Sequence, residues 1–129
     1  MRILVDTQAF IWFVENDKHL PDKIRKELEN TDNTIIISIA SLWEMAIKIS
    51  LDKLHISCDI EVMIDKIYHN GFELLPILPN HIIKLSSLKY LHRDPFDRII
   101  IAQSISEDLP VVTSDEIFGE YGVSVKWKQ

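Results

Sequence analysis

The sequence contains little cysteine, glycine or proline: one cysteine, three glycines and five prolines among 129 residues. The single cysteine, Cys58, excludes an internal disulfide and a zinc site built from several cysteines. With so few glycines and prolines there is no low-complexity linker, and we expect one domain over residues 1–129. We also expect a reducing, cytoplasmic location, because Asp6 interrupts the first apolar residues before a signal-peptide core can form.

Long apolar runs and an excess of positive charge are also missing. Apolar runs such as residues 34–39 are much shorter than the ~20 residues that a helix needs to cross a bilayer, so we expect no membrane partner. The 14 lysines and arginines are outnumbered by 20 aspartates and glutamates, which gives a net charge of -6. This balance argues against a protein that coats nucleic acid by electrostatics alone, but not against an enzyme that approaches phosphate through bound cations.

Short β-branched runs alternate with longer amphipathic segments along the chain. The runs predict strands over residues 3–5, 34–37, 72–75 and 110–113, with a short fifth strand within 123–126. Helices are predicted over residues 8–14, 22–29, 40–51, 60–68, 79–88 and 95–107. Apolar strands that alternate with helices indicate an α/β fold, a three-layer α/β/α sandwich around a mainly parallel sheet of four or five strands.

Four carboxylates from distant segments are expected at one edge of this sheet. Ligands bind at the carboxyl ends of parallel strands. Asp6 directly follows the first strand, and Asp115 follows the fourth after one residue. Glu44 and Asp97 lie in the first turns of helices whose N-termini stand over the same edge.

Each of these acids also has an ordinary structural explanation. Asp6 and Asp115 fit helix N-caps, and Asp97 fits the positive end of a helix dipole behind an Asp94 cap. Glu44 belongs to a polar stripe that would suit a solvent-exposed face, paired with Lys48 four residues later. Taken together, however, crowded carboxylates favour a hard divalent cation such as Mg²⁺ or Mn²⁺. Such ions would activate a water for phosphodiester hydrolysis.

Some neighbouring residues are harder to interpret. Arg98, next to Asp97, is a candidate for binding substrate phosphates, whereas the lysines near Glu44 fit an ordinary surface. Trp43 is predicted to lie in the core. The histidines show no paired ligand spacing and are mostly predicted at the surface, so no zinc site is expected: His19, His55, His69, His81 and His92.

Several segments, in order along essentially the whole chain, resemble a known family. They are Ile-Leu-Val-Asp-Thr at 3–7, Ser-Leu-Trp-Glu-Met-Ala at 41–46, His-Arg-Asp-Pro-Phe-Asp-Arg at 92–98 with Ile-Ala-Gln at 101–103, and Val-Thr-Ser-Asp at 112–115. Together they are similar to PIN-domain ribonucleases, and most of all to the toxin component of VapBC-type toxin–antitoxin pairs. The Asp-Pro-Phe-Asp-Arg run with Ile-Ala-Gln downstream is the most specific element.

The resemblance implies a metal-dependent endoribonuclease. By position, Asp6, Glu44 and Asp97 would be the core metal-binding and catalytic acids, and Asp115 a fourth, more variable one. Thr7 would place a hydroxyl near the metal. The toxin family acts on RNA, is silenced by a partner antitoxin and commonly forms homodimers, so these partners are expected here as well.

Two other classes of function remain open from the sequence. An aspartyl phosphatase with Asp6 as nucleophile is disfavoured, because Gln8 stands where such enzymes place a second aspartate. A non-catalytic α/β binding module would use the acids only as caps. A phosphoryl-accepting receiver domain belongs with this class, but the first strand lacks the acidic pair that such domains carry.

Overall fold

The strands and helices alternate along the chain as the sequence patterns predict. The computed structural model describes residues 1–127, and within that range the chain forms five strands and seven helices. In chain order they are β1 (Arg2–Val5), α1 (Thr7–Val14), α2 (Asp22–Glu29), β2 (Thr34–Ser38), α3 (Ile39–Ser50), α4 (Ile60–His69), β3 (Glu73–Leu75), α5 (Pro79–Ser87), α6 (Pro95–Glu107), β4 (Val111–Val112), α7 (Ile117–Glu120) and β5 (Val125–Lys126). None of these helices is long and apolar enough to cross a membrane.

The sheet has the order β3-β2-β1-β4-β5, and every adjacent pair of strands is parallel. β1 lies in the middle, with Val5 opposite Ile37 on one side and Val112 on the other. Because β1 and β2 are covered on both faces, their sequences are almost continuously apolar instead of alternating. The predicted parallel α/β sheet is confirmed.

The two faces of the sheet pack against separate cores. Ile3 and Val5 of β1 belong to the core that also contains buried residues of α1, α2 and α4. Leu4, between them, belongs to the opposite core together with Ile36 and the apolar residues of α6. Successive strand residues point to opposite faces, so this division yields the predicted three-layer sandwich.

Three helices begin at the carboxyl edge of the sheet, each with an oxygen-bearing cap. The side chain of Asp6 caps α1, Ser38 caps α3, and Asp94 caps α6 directly before Pro95 at the first helical position. These residues satisfy N–H groups that would otherwise lack a partner at the helix starts. The caps therefore fix where the first turns of α1, α3 and α6 stand above the strand ends.

Some of the sequence-based predictions are wrong. Trp43 is 56% exposed and packs edge-on against Phe96 with a centroid distance of 5.0 Å, because α3 is apolar around much of its circumference. The polar stripe of α3 is not solvent-exposed at Glu44, which is buried. His81 and His92 are also enclosed by the fold. The short helix α7 was not predicted.

Candidate functional site

Asp6 lies at the carboxyl end of β1 with both carboxylate oxygens held. Its Oδ1 accepts from the backbone N–H of Ala9 at 2.8 Å, and its Oδ2 accepts from the hydroxyl of Thr113 at 2.5 Å. Only 6% of the residue is exposed. Asp6 is therefore an N-cap, as one of the two explanations predicts. A cap at the surface would require neither the second donor nor this degree of burial.

Glu44 lies in the second turn of α3 and is only 5% exposed. Its Oε2 accepts from the Lys48 ammonium at 2.6 Å, which confirms the i, i+4 ion pair. Among residues 1–127 its Oε1 is buried without a hydrogen-bond partner, as is Oε2 of Glu27 outside the cleft. A buried carboxylate oxygen without a partner is costly, and a divalent cation bound at Glu44 would relieve that cost.

Asp97 lies in the first turn of α6, beneath the Asp94 cap. The Oδ1 of Asp94 accepts from the backbone N–H groups of Phe96 and Asp97 at 2.8 and 3.2 Å. The carboxylate of Asp97 is left to face the cleft, where its Oδ2 is 3.2 Å from Nε2 of His92. Asp94 thus has the structural role of a cap that the sequence predicts, whereas the carboxylate of Asp97 faces the cleft.

Asp115 follows β4 and contacts the same histidine. Its Oδ2 is 2.7 Å from Nε2 of His92, and its Oδ1 accepts from the backbone N–H of Ile117 at 3.0 Å. The ligand-type atoms of His92, Asp97 and Asp115 all lie within 4.8 Å of one another, and this is the one such trio found among residues 1–127. The sequence analysis did not identify His92 as a site residue. Its position two residues before Asp94 could have indicated it, because Asp94 caps a helix that starts at the carboxyl edge of the sheet.

All four predicted acids line one cleft of about 310 Å³, together with Asp94. Lys48 and Lys53 also line it, so two lysines that the sequence assigns to an ordinary surface lie beside the acids. Five carboxylates against two ammonium groups make the cleft strongly acidic. An anionic substrate would be repelled unless cations bind first.

The electrostatics of the cleft disfavour full ionisation. Burial raises the pKa of Asp6 to about 6, with the charges of Asp115 and Glu44 adding to it against the lowering effect of its hydrogen bonds. Burial is also the main cause that raises the pKa of Asp97 to about 7, and the negative charges of Asp94, Asp6 and Glu44 raise it further. Such shifts are typical of functional sites, although structural networks produce them too.

The two candidate substrate-binding residues, Thr7 and Arg98, lie in different surroundings. Thr7 lines the cleft, and its hydroxyl donates to Ser41 at 2.8 Å. Arg98 is only 9% exposed, and its guanidinium donates to the backbone carbonyl of Lys89 at 3.1 Å and stacks over the ring of Tyr90. These contacts hold the loop before α6, and the contact of Arg98 with phosphate stays a prediction.

The residues that are present fit a hard divalent cation. The cleft offers carboxylate oxygens from three separate helix starts and one strand end, and oxygen donors are what Mg²⁺ and Mn²⁺ prefer. Among residues 1–127, Oε1 of Glu44 is buried without a partner, and burial with neighbouring negative charges raises the pKa values of Asp6 and Asp97. Each would be relieved by a bound cation.

The sequence model of the PIN domain matches residues 3–123, which include all of these acids. The chain belongs to the PIN domain family. The family consists of nucleases that are generally dependent on divalent metal. No curated protein sequence matches this PIN domain.

Solved structures with this PIN fold include toxin–antitoxin complexes. VapBC2 from Rickettsia felis, bound to a promoter DNA fragment, has a TM-score of 0.74 at 19% identity, with 99% of this chain and 100% of that chain covered. DNA-bound VapBC from Salmonella typhimurium has a TM-score of 0.73 at 21% identity over 98% and 97% of the two chains. FitAcB from Neisseria gonorrhoeae has a TM-score of 0.64 at 18% identity, covering 97% and 96%. At these identities the likeness establishes the fold.

Proposed function

We propose that this PIN domain is a divalent-metal-dependent endoribonuclease and the toxin of a toxin–antitoxin pair. The observation that carries the proposal is a cleft lined by Asp6, Glu44, Asp97 and Asp115, in which one buried carboxylate oxygen of Glu44 has no partner in the part of the chain that the structure describes. A binding module that used its acids only as caps would have no reason to bury Glu44. The aspartyl phosphatase alternative gains no support, because the residue lining the cleft at the position of such an enzyme's second aspartate is Gln8.

Mg²⁺ or Mn²⁺ would be held by Asp6, Glu44 and Asp97, with Asp115 as a fourth acid. When bound, such a cation lowers the pKa of a coordinated water and stabilises negative charge on phosphate oxygens. The protein's part is to hold its carboxylates in place. Thr113 and the N–H of Ala9 orient Asp6.

Neighbouring polar groups complete the proposed site. Lys48 holds one oxygen of Glu44 and keeps a positive charge at the rim, where a substrate phosphate would approach. The Thr7 hydroxyl, hydrogen-bonded to buried Ser41, offers an oxygen that can turn toward the cleft. Neither group acts as a nucleophile in this proposal, since hydrolysis requires only a positioned water.

The biological setting follows from the structural relatives. Their names describe VapBC and FitAB complexes, so we propose an antitoxin partner, a homodimer of this chain and a cytoplasmic location. The relatives are DNA-bound as complexes, but a net charge of -6 makes this chain by itself a poor DNA-binding surface. We propose RNA as the substrate of the cleft because of the resemblance of the chain to PIN-domain ribonucleases, and we assign any DNA contact to the partner.

The proposal is tested by incubating purified protein with a mixture of structured and single-stranded RNA in the presence of Mg²⁺ or Mn²⁺. We expect endonucleolytic cleavage that EDTA and Asp6→Asn both abolish. Asp65→Asn is the matched control, because Asp65 is exposed on α4 and the change in charge is identical. Cleavage that survives Asp6→Asn, or no cleavage combined with no cation binding by calorimetry, would refute the proposal.

A further inference from the structure

His92 occupies a place that no part of the proposed mechanism uses. Its side chain is 11% exposed, and Nε2 lies 2.7 Å from Asp115 Oδ2 and 3.2 Å from Asp97 Oδ2. Three ligand-type atoms within 4.8 Å have the spacing of a metal site with one nitrogen and two oxygen donors. Spacing alone does not decide whether the imidazole is a ligand, because a ligand nitrogen must present a lone pair.

The backbone decides which nitrogen of His92 carries the proton. The N–H of Asp94 donates to Nδ1 of His92 at 3.1 Å. A backbone amide is always a donor, so Nδ1 must hold a lone pair, and the proton of the neutral ring must be on Nε2. Nε2 therefore faces the two carboxylates as an N–H donor. Binding of a cation through Nε2 would require moving that proton to Nδ1 and losing the bond from Asp94.

Contacts on its other sides hold the imidazole in this orientation. The backbone N–H of His92 donates to the hydroxyl of Tyr121 at 2.9 Å, and that hydroxyl donates to the carbonyl of Lys89 at 2.7 Å. The ring lies edge-on to buried Phe118 with a centroid distance of 6.2 Å. These contacts hold the ring in place, so it cannot readily rotate to exchange the positions of its two nitrogens.

We propose that His92 is a positioning residue, whose Nε2–H donates to Asp115 beside the carboxylate of Asp97, and that it is not a metal ligand. The inference rests on the proposed function, since it assigns His92 a part in the cation site. An N–H group donated to Asp115 beside Asp97 reduces the repulsion between the two carboxylates and fixes the rotamer of Asp115 before a cation arrives.

Two substitutions separate the donor from the ring. His92→Phe keeps the packing against Phe118 and removes both nitrogens, whereas His92→Gln keeps an N–H donor of similar reach. We expect His92→Phe to weaken Mn²⁺ binding by about 10-fold or more in a calorimetric titration, and His92→Gln to restore part of that loss. The exposed His69 on α4 provides the control His69→Phe, which is expected to leave the affinity unchanged. Equal losses for Phe and Gln would indicate a role in packing alone.

The deciding measurement uses the wild-type protein and does not depend on how a variant folds. In nitrogen–proton correlation spectra of ¹⁵N-histidine protein, His92 is identified by the signal lost in His92→Gln. We expect a protonated Nε2 and an unprotonated Nδ1 without metal, unchanged when Mg²⁺ or diamagnetic Zn²⁺ saturates the site. A proton on Nδ1 in the metal-free protein, or its appearance there on adding Zn²⁺, would overturn the inference. Failure of the proposed function would look different: neither cation would perturb the carboxyl resonances of the cleft acids, whatever the His92 tautomer.

Discussion

At the scale of single residues, Asp97 shows two opposing electrostatic effects. A carboxylate in the first turn of a helix gains ~0.3–1 kcal/mol from the dipole. Burial beside Asp94, Asp6 and Glu44 instead raises its pKa to about 7. Since one pKa unit corresponds to ~1.4 kcal/mol, the unfavourable environment outweighs the dipole. A residue placed at a cost to stability is a candidate for a functional role.

Replacement of Asp97 by asparagine should therefore stabilise the metal-free protein. The amide keeps the size and removes a buried charge, so we expect a gain of about 1–2 kcal/mol in the free energy of unfolding at neutral pH. Divalent-cation binding and RNA cleavage should fall by about 100-fold or more, which corresponds to ~3 kcal/mol of lost stabilisation. Urea denaturation and Mn²⁺ calorimetry measure the two effects. A destabilised Asp97→Asn that still binds Mn²⁺ would show that Asp97 serves only the helix dipole.

The predictable part of the site is the part that follows from sheet topology. All four acids were placed correctly at one edge of the sheet, because the ends of parallel strands and the starts of the helices that follow them lie at the same edge. The enclosure of His92 was missed because its position depends on Tyr121, which is 29 residues away in the sequence. Burial of Glu44 was missed because local periodicity cannot show which face of α3 the α1 helix covers.

At the scale of secondary-structure elements, a buried polar link joins the helices that carry Glu44 and Asp97. Ser38, the cap of α3, donates through its hydroxyl to Oε1 of Gln103 on α6 at 2.5 Å. The Nε2 amide of Gln103 donates to the carbonyl of Pro76 at 3.2 Å. Ser38 and Gln103 are both fully buried. The link therefore sets the spacing between α3, α6 and the loop after β3.

Gln103→Leu should be costly because it removes both halves of this link. The Ser38 hydroxyl and the Pro76 carbonyl would lose their partner, at ~1–3 kcal/mol for each buried group left unsatisfied. We expect a loss of about 2–3 kcal/mol in the free energy of unfolding. Ser38→Ala should cost about 1 kcal/mol through the lost cap.

The double variant provides the control for this interpretation. If Ser38 and Gln103 act through one hydrogen bond, Ser38→Ala combined with Gln103→Leu should cost less than the sum of the single changes. Denaturant unfolding of the four proteins measures the difference. Strictly additive losses would show that the two side chains stabilise their helices independently.

Tyr121 should have a local effect on the loop before α6. Its hydroxyl accepts from the backbone N–H groups of Leu91 and His92, both at 2.9 Å. In Tyr121→Phe these amides would turn to water, so we expect a loss of about 1 kcal/mol and faster hydrogen exchange at Leu91 and His92. Exchange measured by mass spectrometry is the test, with α4 amides as the internal reference. Unchanged hydrogen exchange at both amides would show that the Tyr121 hydroxyl does not stabilise this loop.

The elements themselves were mostly predictable, because their physical signals are local. Helix α6 was predicted over its full length, since Asp94, Pro95 and the apolar run after them specify its start. Helix α7 has only four residues, too few to show a helical period, and it depends on the burial of Phe118 and on the Asp115 carboxylate. Trp43 was misplaced because an apolar helix gives no sign of which side lacks a cover.

At the scale of the whole molecule, negative charge collects where the strands end. The chain carries a net charge of -6, and five of its carboxylates line one cleft. The remaining charge on the surface contributes little to stability, since exposed pairs such as Arg2 with Glu73 are worth ~0–1 kcal/mol. The cleft acids therefore dominate how stability responds to pH and to divalent cations.

The metal-free protein should lose stability as the pH rises through the range in which these acids ionise. The pKa of Asp6 is raised to about 6 and that of Asp97 to about 7, both from an ordinary 3.8. At pH values between the ordinary pKa and the raised pKa of each acid, the native state keeps protons that the unfolded chain has released. The free energy of unfolding therefore falls with increasing pH. We expect a contribution of about 2 kcal/mol, complete near pH 7.5. Mg²⁺ or Mn²⁺ should restore it by binding the ionised carboxylates.

The difference between wild type and Asp97→Asn isolates the contribution of Asp97 and the cleft groups coupled to it, because titrations of groups remote from the cleft are common to both proteins and cancel. Urea unfolding at pH 5 and pH 7.5, with and without Mn²⁺, gives the four comparisons needed. Without metal, the advantage of Asp97→Asn should grow toward pH 7.5, and with Mn²⁺ it should reverse. An advantage independent of pH would mean that Asp97 ionises near its ordinary pKa, and the cleft would then have no need of a cation to balance it.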